Sequence, residues 1–108
     1  MQVSDAVKYA KLLDVYGNLL TSKQCLILTD YLCYDNTLTE IAQSHKTTRQ
    51  AVKDIISRSL SRLDELEQKL QFCKKLNSIQ SGLTDLQKKY DIDDLKQKIA
   101  KIIQTLEA

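Results

Sequence analysis

At 108 residues, 43% hydrophobic and 28% charged, the chain has the size and composition of one small globular domain, which excludes a disordered segment. It has no proline and only two glycines, Gly17 and Gly82, too few turn formers for a strand-built protein, so a nearly all-α fold is expected. Net charge is +2 but uneven: residues 1–45 carry 3 basic and 5 acidic side chains, residues 46–62 carry 5 basic against Asp54 alone, and residues 63–108 carry 8 of each.

The first helix follows Ser4 or Asp5 as its cap, with Ala6, Tyr9, Leu12, Leu13 and Tyr16 at helical spacing. Gly17-Asn18 is its expected stop, because both residues tolerate left-handed backbone angles. Thr21-x-x-Gln24 is a capping box for a second helix, whose apolar face is Cys25, Leu28, Tyr31 and Leu32, and which Asp35-Asn36 ends. Thr37-x-x-Glu40 is another capping box. It opens a short helix with Leu38, Ile41 and Ala42 inward. Thr47-x-x-Gln50 offers a third, with Thr48 as the alternative cap. The helix that follows meets no breaker for more than twenty residues. Val52, Ile56, Leu63, Leu66 and Leu70 point inward from it, and Leu60 is expected to stand in for Ser59.

In the last third, Ile79, Leu83, Leu86 and Tyr90 form one amphipathic series, and Ile92, Leu95, Ile99, Ile102 and Leu106 form another. The phase slips between them, which predicts two helices with a break near Asp91 and Asp91 capping the second.

Residues 37–63 have the parts of a helix-turn-helix. Ala42 is small where two helices must cross closely, Ser44 to Thr47 can form the corner, and Val52, Ile55 and Ile56 fill the inner face of the second helix. Its outer face presents Thr48, Arg49, Gln50, Lys53 and Asp54, side-chain types that bond base edges and phosphates in a major groove. The positive excess of the chain lies here, where a footprint for phosphate belongs. The candidate nucleic-acid-binding residues are therefore Lys46, Thr48, Arg49, Gln50, Lys53, Arg58 and Arg62. Lys46 holds the corner position usual for glycine or asparagine, at a cost of about 1 kcal/mol if its φ is positive. His45 reads as a partly covered ring that finishes the corner.

For Arg49, Lys53, Arg58 and Arg62 an ordinary solvated helix face is the equal alternative to phosphate binding. Cys25, Cys33 and Cys73 form no CxxC, and His45 is the lone histidine, so reduced thiols and no metal site are expected. Without a Cys–His constellation or a glycine-rich phosphate loop, neither an enzyme nor a cofactor is expected. Asp64-Glu65 and Asp93-Asp94 read as solvated charges. No apolar run is long enough to cross a membrane and the N-terminus has no signal-peptide core, so no membrane insertion is expected.

The stretch LLTSKQCLILTDYLCYDNTLTEIAQSHKTTRQAVKDIISRSLSRLDELEQKL is similar to region 4 of the sigma-70 factors. With the preceding LLDVYGNLLT it resembles, more closely, the YlxM family of small bacterial helix-turn-helix proteins. The resemblance covers roughly residues 8–72, and LTEIA and TRQAVKD are its most specific pieces. It implies a sigma-region-4-like all-α fold, a cytoplasmic bacterial protein and a regulatory part in the signal recognition particle pathway. The family's usual pattern has an aromatic residue where this chain has Lys53, a change that adds charge to the outer face.

The expected organisation is a helix-turn-helix domain over 1–72 and an amphipathic helical tail over 73–108, packed on the long helix or on a second subunit of a homodimer. Duplex DNA is the first expected partner, and signal recognition particle RNA the second. The alternative is a protein-interaction module with the helix-turn-helix as scaffold and a signal recognition particle protein as partner.

Overall fold

The computed structural model describes residues 3–89 and 93–107, and among these every regular element is helical. Helix α1 spans Val3–Tyr16, a 3-10 turn Gly17–Leu19, α2 Ser22–Leu32, α3 Leu38–Ser44, α4 Arg49–Leu70, α5 Phe72–Lys89 and α6 Asp93–Glu107. None is long and apolar enough to cross a membrane. The chain divides into two compact units, Met1–Gln71 and Phe72–Ala108.

In the first unit α4 packs against α1, α2 and α3. The core is Leu12, Leu13, Tyr16 and Leu20 from the N-terminal segment, Ile27 and Leu28 from α2, Ile41 and Ala42 from α3, and Val52, Ile56, Leu63 and Leu66 from α4. Burying each large aliphatic side chain stabilises the unit by roughly 1.5–3 kcal/mol. The capping boxes expected at Thr21 and Thr37 form. Thr21 accepts from the Gln24 N–H while its own N–H donates to the Gln24 side chain, and Thr37 and Glu40 do the same.

Several local expectations are corrected. Ser4 and Asp5 lie within the first turn of α1 and do not precede it. Gly17 does not adopt a left-handed angle; the chain tightens into the 3-10 turn instead, with the Leu20 N–H donating to the Gly17 carbonyl at 3.1 Å. Helix α2 ends at Leu32, and Asp35 then takes a left-handed φ of 54°. Ile27, outside the expected α2 face, is fully buried. Of the two caps offered for α4, Thr48 is the one used, accepting from the Ala51 N–H at 3.0 Å.

Ser59 also departs from expectation, for it is fully buried while Leu60 is only half-buried. Its hydroxyl donates to the Ile55 carbonyl one turn back at 2.7 Å, so a small polar residue sits in the apolar seam with its hydrogen bond made.

Two tyrosines brace α1 against the far half of α4. Tyr9 donates to Asp64 at 2.7 Å and the buried Tyr16 donates to Glu67 at 2.5 Å. The hydrogen bond to Asp64, then burial and the carboxylate's charge, push the Tyr9 phenol up to about 12. Lys8 joins Asp64 at 3.5 Å.

Helix α4 ends where Gln71 turns left-handed at φ 55°, its N–H donating to the Glu67 carbonyl at 2.8 Å. In the second unit α5 and α6 pack on each other. Ile99 is buried, and Leu83 and Leu106 are half-buried. Ile79, Leu86, Leu95 and Ile102, read in the sequence as members of the same two apolar series, are exposed. The expected contributions of Tyr90, Asp91 and Ile92 fall outside the described residues.

Candidate nucleic-acid interface

Helix α3 ends in a turn that builds the corner. His45 follows as its cap, and Lys46 takes φ 54°. The Thr47 N–H donates to the Ala42 carbonyl at 2.9 Å and the Lys46 N–H to the Gln43 carbonyl at 3.3 Å. This pair of bonds is a Schellman motif with Lys46 at the position where glycine is usual. The φ of Lys46, left open by the sequence, is positive, so the corner is left-handed without a glycine. Ala42, 6% exposed, is buried on α3, which packs on α4. His45 Nε2 lies 3.0 Å from Asp30 Oδ2, which ties the corner to α2.

Val52 and Ile56 are buried, so the first turns of α4 present Arg49, Gln50, Lys53 and Asp54 to solvent. Lys46 and Thr48 are exposed beside them. The first turn of α4 holds no acidic residue. Among the described residues no carboxylate pairs with Lys46, Arg49 or Lys53. These cations sit at the end of α4 where the helix dipole is positive, an arrangement that favours a bound anion. As cap acceptor, the Thr48 oxygen keeps its own O–H free to donate outward.

Arg58 and Arg62 differ. Arg58, 75% exposed in its side chain, pairs with Asp54 at 3.0 Å, and Arg62 with Glu65 at 3.4 Å. The Lys69 ammonium, then the Arg62 guanidinium, hold the Glu65 carboxyl below its ordinary value. Both arginines line a surface cleft of about 540 Å³ shared with Leu19, Thr21 and Gln24 near the start of α2. At 1.5 Å per residue they stand roughly 14 and 20 Å along α4 from Arg49. The seven candidate residues thus divide into a group at the corner whose cations have no carboxylate partner among the described residues and a partly neutralised pair further along. Sequence reasoning missed the neutralising roles of Asp54 and Glu65, which helical spacing at i, i+4 and i, i+3 could have revealed. It also missed Asp30, fifteen residues from His45, for which no local signal exists.

Residues 3–103 match the family model described as "Putative helix-turn-helix protein, YlxM / p13 like". A UPF0122 protein of Fusobacterium nucleatum is 36% identical over 106 residues, covering 98% of this chain and 99% of that one. A UPF0122 protein of Acetivibrio thermocellus is 40% identical over 102 residues, covering 91% and 86%, and one of Clostridium botulinum 36% identical over 96 residues, covering 85% and 88%. No solved structure matches the chain significantly. With its helix-turn-helix geometry and a family match across nearly its whole length, the chain belongs to the UPF0122 family of YlxM/p13-like helix-turn-helix proteins.

Proposed function

We propose that the chain is a nucleic-acid-binding regulator that lays the first turns of α4 in the major groove of duplex DNA. In this reading Arg49, Gln50 and Lys53 reach base edges and adjacent phosphates, Lys46 and Thr48 hold phosphate at the corner, and Arg58 and Arg62 contact the backbone beyond. The observation that carries it is the group of Lys46, Arg49 and Lys53, exposed and, among the described residues, without an acidic partner at the positive end of a helix. Left alone, each cation there costs the fold a few tenths of a kcal/mol up to about 1 kcal/mol, which a phosphate relieves. Because a major groove is about 12 Å wide, the arginines further along α4 would meet its flanking strands and not its floor.

The biological setting we propose is regulation within the signal recognition particle pathway, supported by the YlxM resemblance alone. The RNA of that particle is the second candidate ligand. Its A-form major groove is too deep and narrow for α4, so contact there would run through phosphates and shape.

Titration against duplex DNA and signal recognition particle RNA at 50 and 200 mM salt tests the proposal. If all five cations meet phosphate, DNA affinity falls by roughly 500-fold between the two salts, and if only Lys46, Arg49 and Lys53 do, by roughly 40-fold. Binding to neither nucleic acid, with capture of a signal recognition particle protein, would overturn this reading in favour of a protein-interaction module.

A further inference from the structure

The second unit has too little core for its size. It is 37 residues long by its bounds, and units below about 40 residues need a disulfide, a metal or association to hold a fold. Its single cysteine, Cys73, cannot form a disulfide within it. Meanwhile large apolar side chains stand in solvent at heptad spacing: Ile79 and Leu86 on α5, 51% and 44% exposed, and Leu95 and Ile102 on α6, 39% and 50% exposed.

These two pairs share one side of the hairpin. At 100° per residue, the exposed stripe of α5 lies roughly 80° round the helix from its covered stripe, and the α6 stripes are displaced by about the same angle in the same rotational sense. A connection of three residues makes α5 and α6 antiparallel neighbours, so their rotational senses oppose when both are viewed from one end. Equal displacements in opposed senses bring both exposed stripes to the same face. Leu86 and Leu95 lie toward the end of α5 and the start of α6, Ile79 and Ile102 two turns away, and the half-buried Leu83 and Leu106 floor the strip between them.

We propose that this face is a homodimer interface, and that a second copy of the chain covers it to form a four-helix bundle. Its size fits that occupant. Taking roughly 200 Å² for a fully exposed large side chain, the six residues leave on the order of 450 Å² of apolar surface in water. Homodimer interfaces are about 65% apolar, so a patch of this size implies roughly 700 Å² per partner, close to the ~800 Å² of a specific, stable interface. An amphipathic hairpin is also self-complementary under a two-fold axis, because the same strip serves both copies.

The test is sedimentation equilibrium of the full chain from 1 to 200 µM. Wild type is expected to run at twice its 12.4 kDa mass in the upper part of that range. Ile79→Glu and Ile102→Glu should each raise the dimer dissociation constant at least tenfold. Ser81→Glu adds the same charge on the opposite face of α5 and should leave the constant within twofold of wild type. Should either glutamate on the strip lower helicity in circular dichroism, Ile79→Ala with Ile102→Ala replaces it, with the same tenfold weakening expected. A single 12.4 kDa species throughout would overturn the proposal, as would a dimer indifferent to the strip variants or equally weakened by Ser81→Glu.

Discussion

Replacing Lys46 by glycine should make the protein more stable and a poorer ligand for nucleic acid. At φ 54° the lysine Cβ crowds its own backbone, a strain of roughly 1–2 kcal/mol for a residue with a side chain. Glycine removes the strain but adds freedom to the unfolded chain, which returns roughly 0.5–1 kcal/mol. The net gain is about 0.5–1 kcal/mol, or a rise in Tm of roughly 3–6 °C for a unit of this size. The charge itself contributes little, since Lys46 lies between the negative end of α3 and the positive end of α4. Binding should respond in the opposite direction, with the slope of log affinity against log salt shallower by about 0.9 for one lost phosphate contact. Lys46→Ala separates the two effects, because it loses the charge and keeps the Cβ. Its binding should fall as in the glycine variant while its Tm stays near wild type. Thermal unfolding by circular dichroism and salt-dependent anisotropy titrations measure both quantities. A glycine variant with Tm at or below wild type would refute the strain argument, and an unchanged salt slope in both variants would remove Lys46 from the interface.

Arg49→Ala and Lys53→Ala should each weaken DNA binding by roughly 1–3 kcal/mol with an unchanged circular dichroism spectrum; unchanged binding would mean that α4 is not the reading helix. Ala42→Leu should cost the fold roughly 1–3 kcal/mol by overfilling the crossing of α3 and α4, read as a lower urea midpoint. Thr48→Ala should cost about 1 kcal/mol by leaving the Ala51 N–H without its cap. Tyr9, with its folded pKa raised to about 12 from 10, contributes stability that is complete below pH 10 and is lost as pH rises toward 12. Ultraviolet titration of the phenol checks this, and Asp64→Asn should bring Tyr9 back toward 10.

What could be read in the sequence was what is written within four residues. The boxes at Thr21 and Thr37 are reciprocal bonds between positions three apart, and residue types alone announce them. The corner was legible because its parts occur in fixed order, which placed Lys46 at the position usual for glycine, whereas its left-handed angle was left open because lysine does not announce one. Gln71 adopts the same angle at the end of α4 and was not legible, since glutamine carries no such preference and no motif surrounds it. Ser59 misled because its hydroxyl is satisfied by its own helix, a bond that polarity alone does not reveal. The covered and exposed stripes of α5 and α6 were read as one face because periodicity locates an apolar arc but not how much of it a single neighbour can cover. At the candidate site, the residue types on the outer face of α4 were readable, whereas the loss of free charge at Arg58 and Arg62 depended on which acids lay beside them.

The tyrosine bonds from α1 bear on how small a working fragment of this protein can be. Tyr9 and Tyr16 reach carboxylates 55 and 51 residues away, at the end of α4 remote from the corner. A peptide cut to residues 37–63 would keep the corner but lose α1 and α2, and with them the cover over Val52, Ile56 and Leu63. Its two helices, of 7 and about 15 residues, are too short to persist unaided in water. The loop of some fifty residues that Tyr16 closes is therefore the enclosure within which the corner acquires its shape. The shortest fragment expected to present Lys46 at its left-handed angle runs from α1 through Gln71.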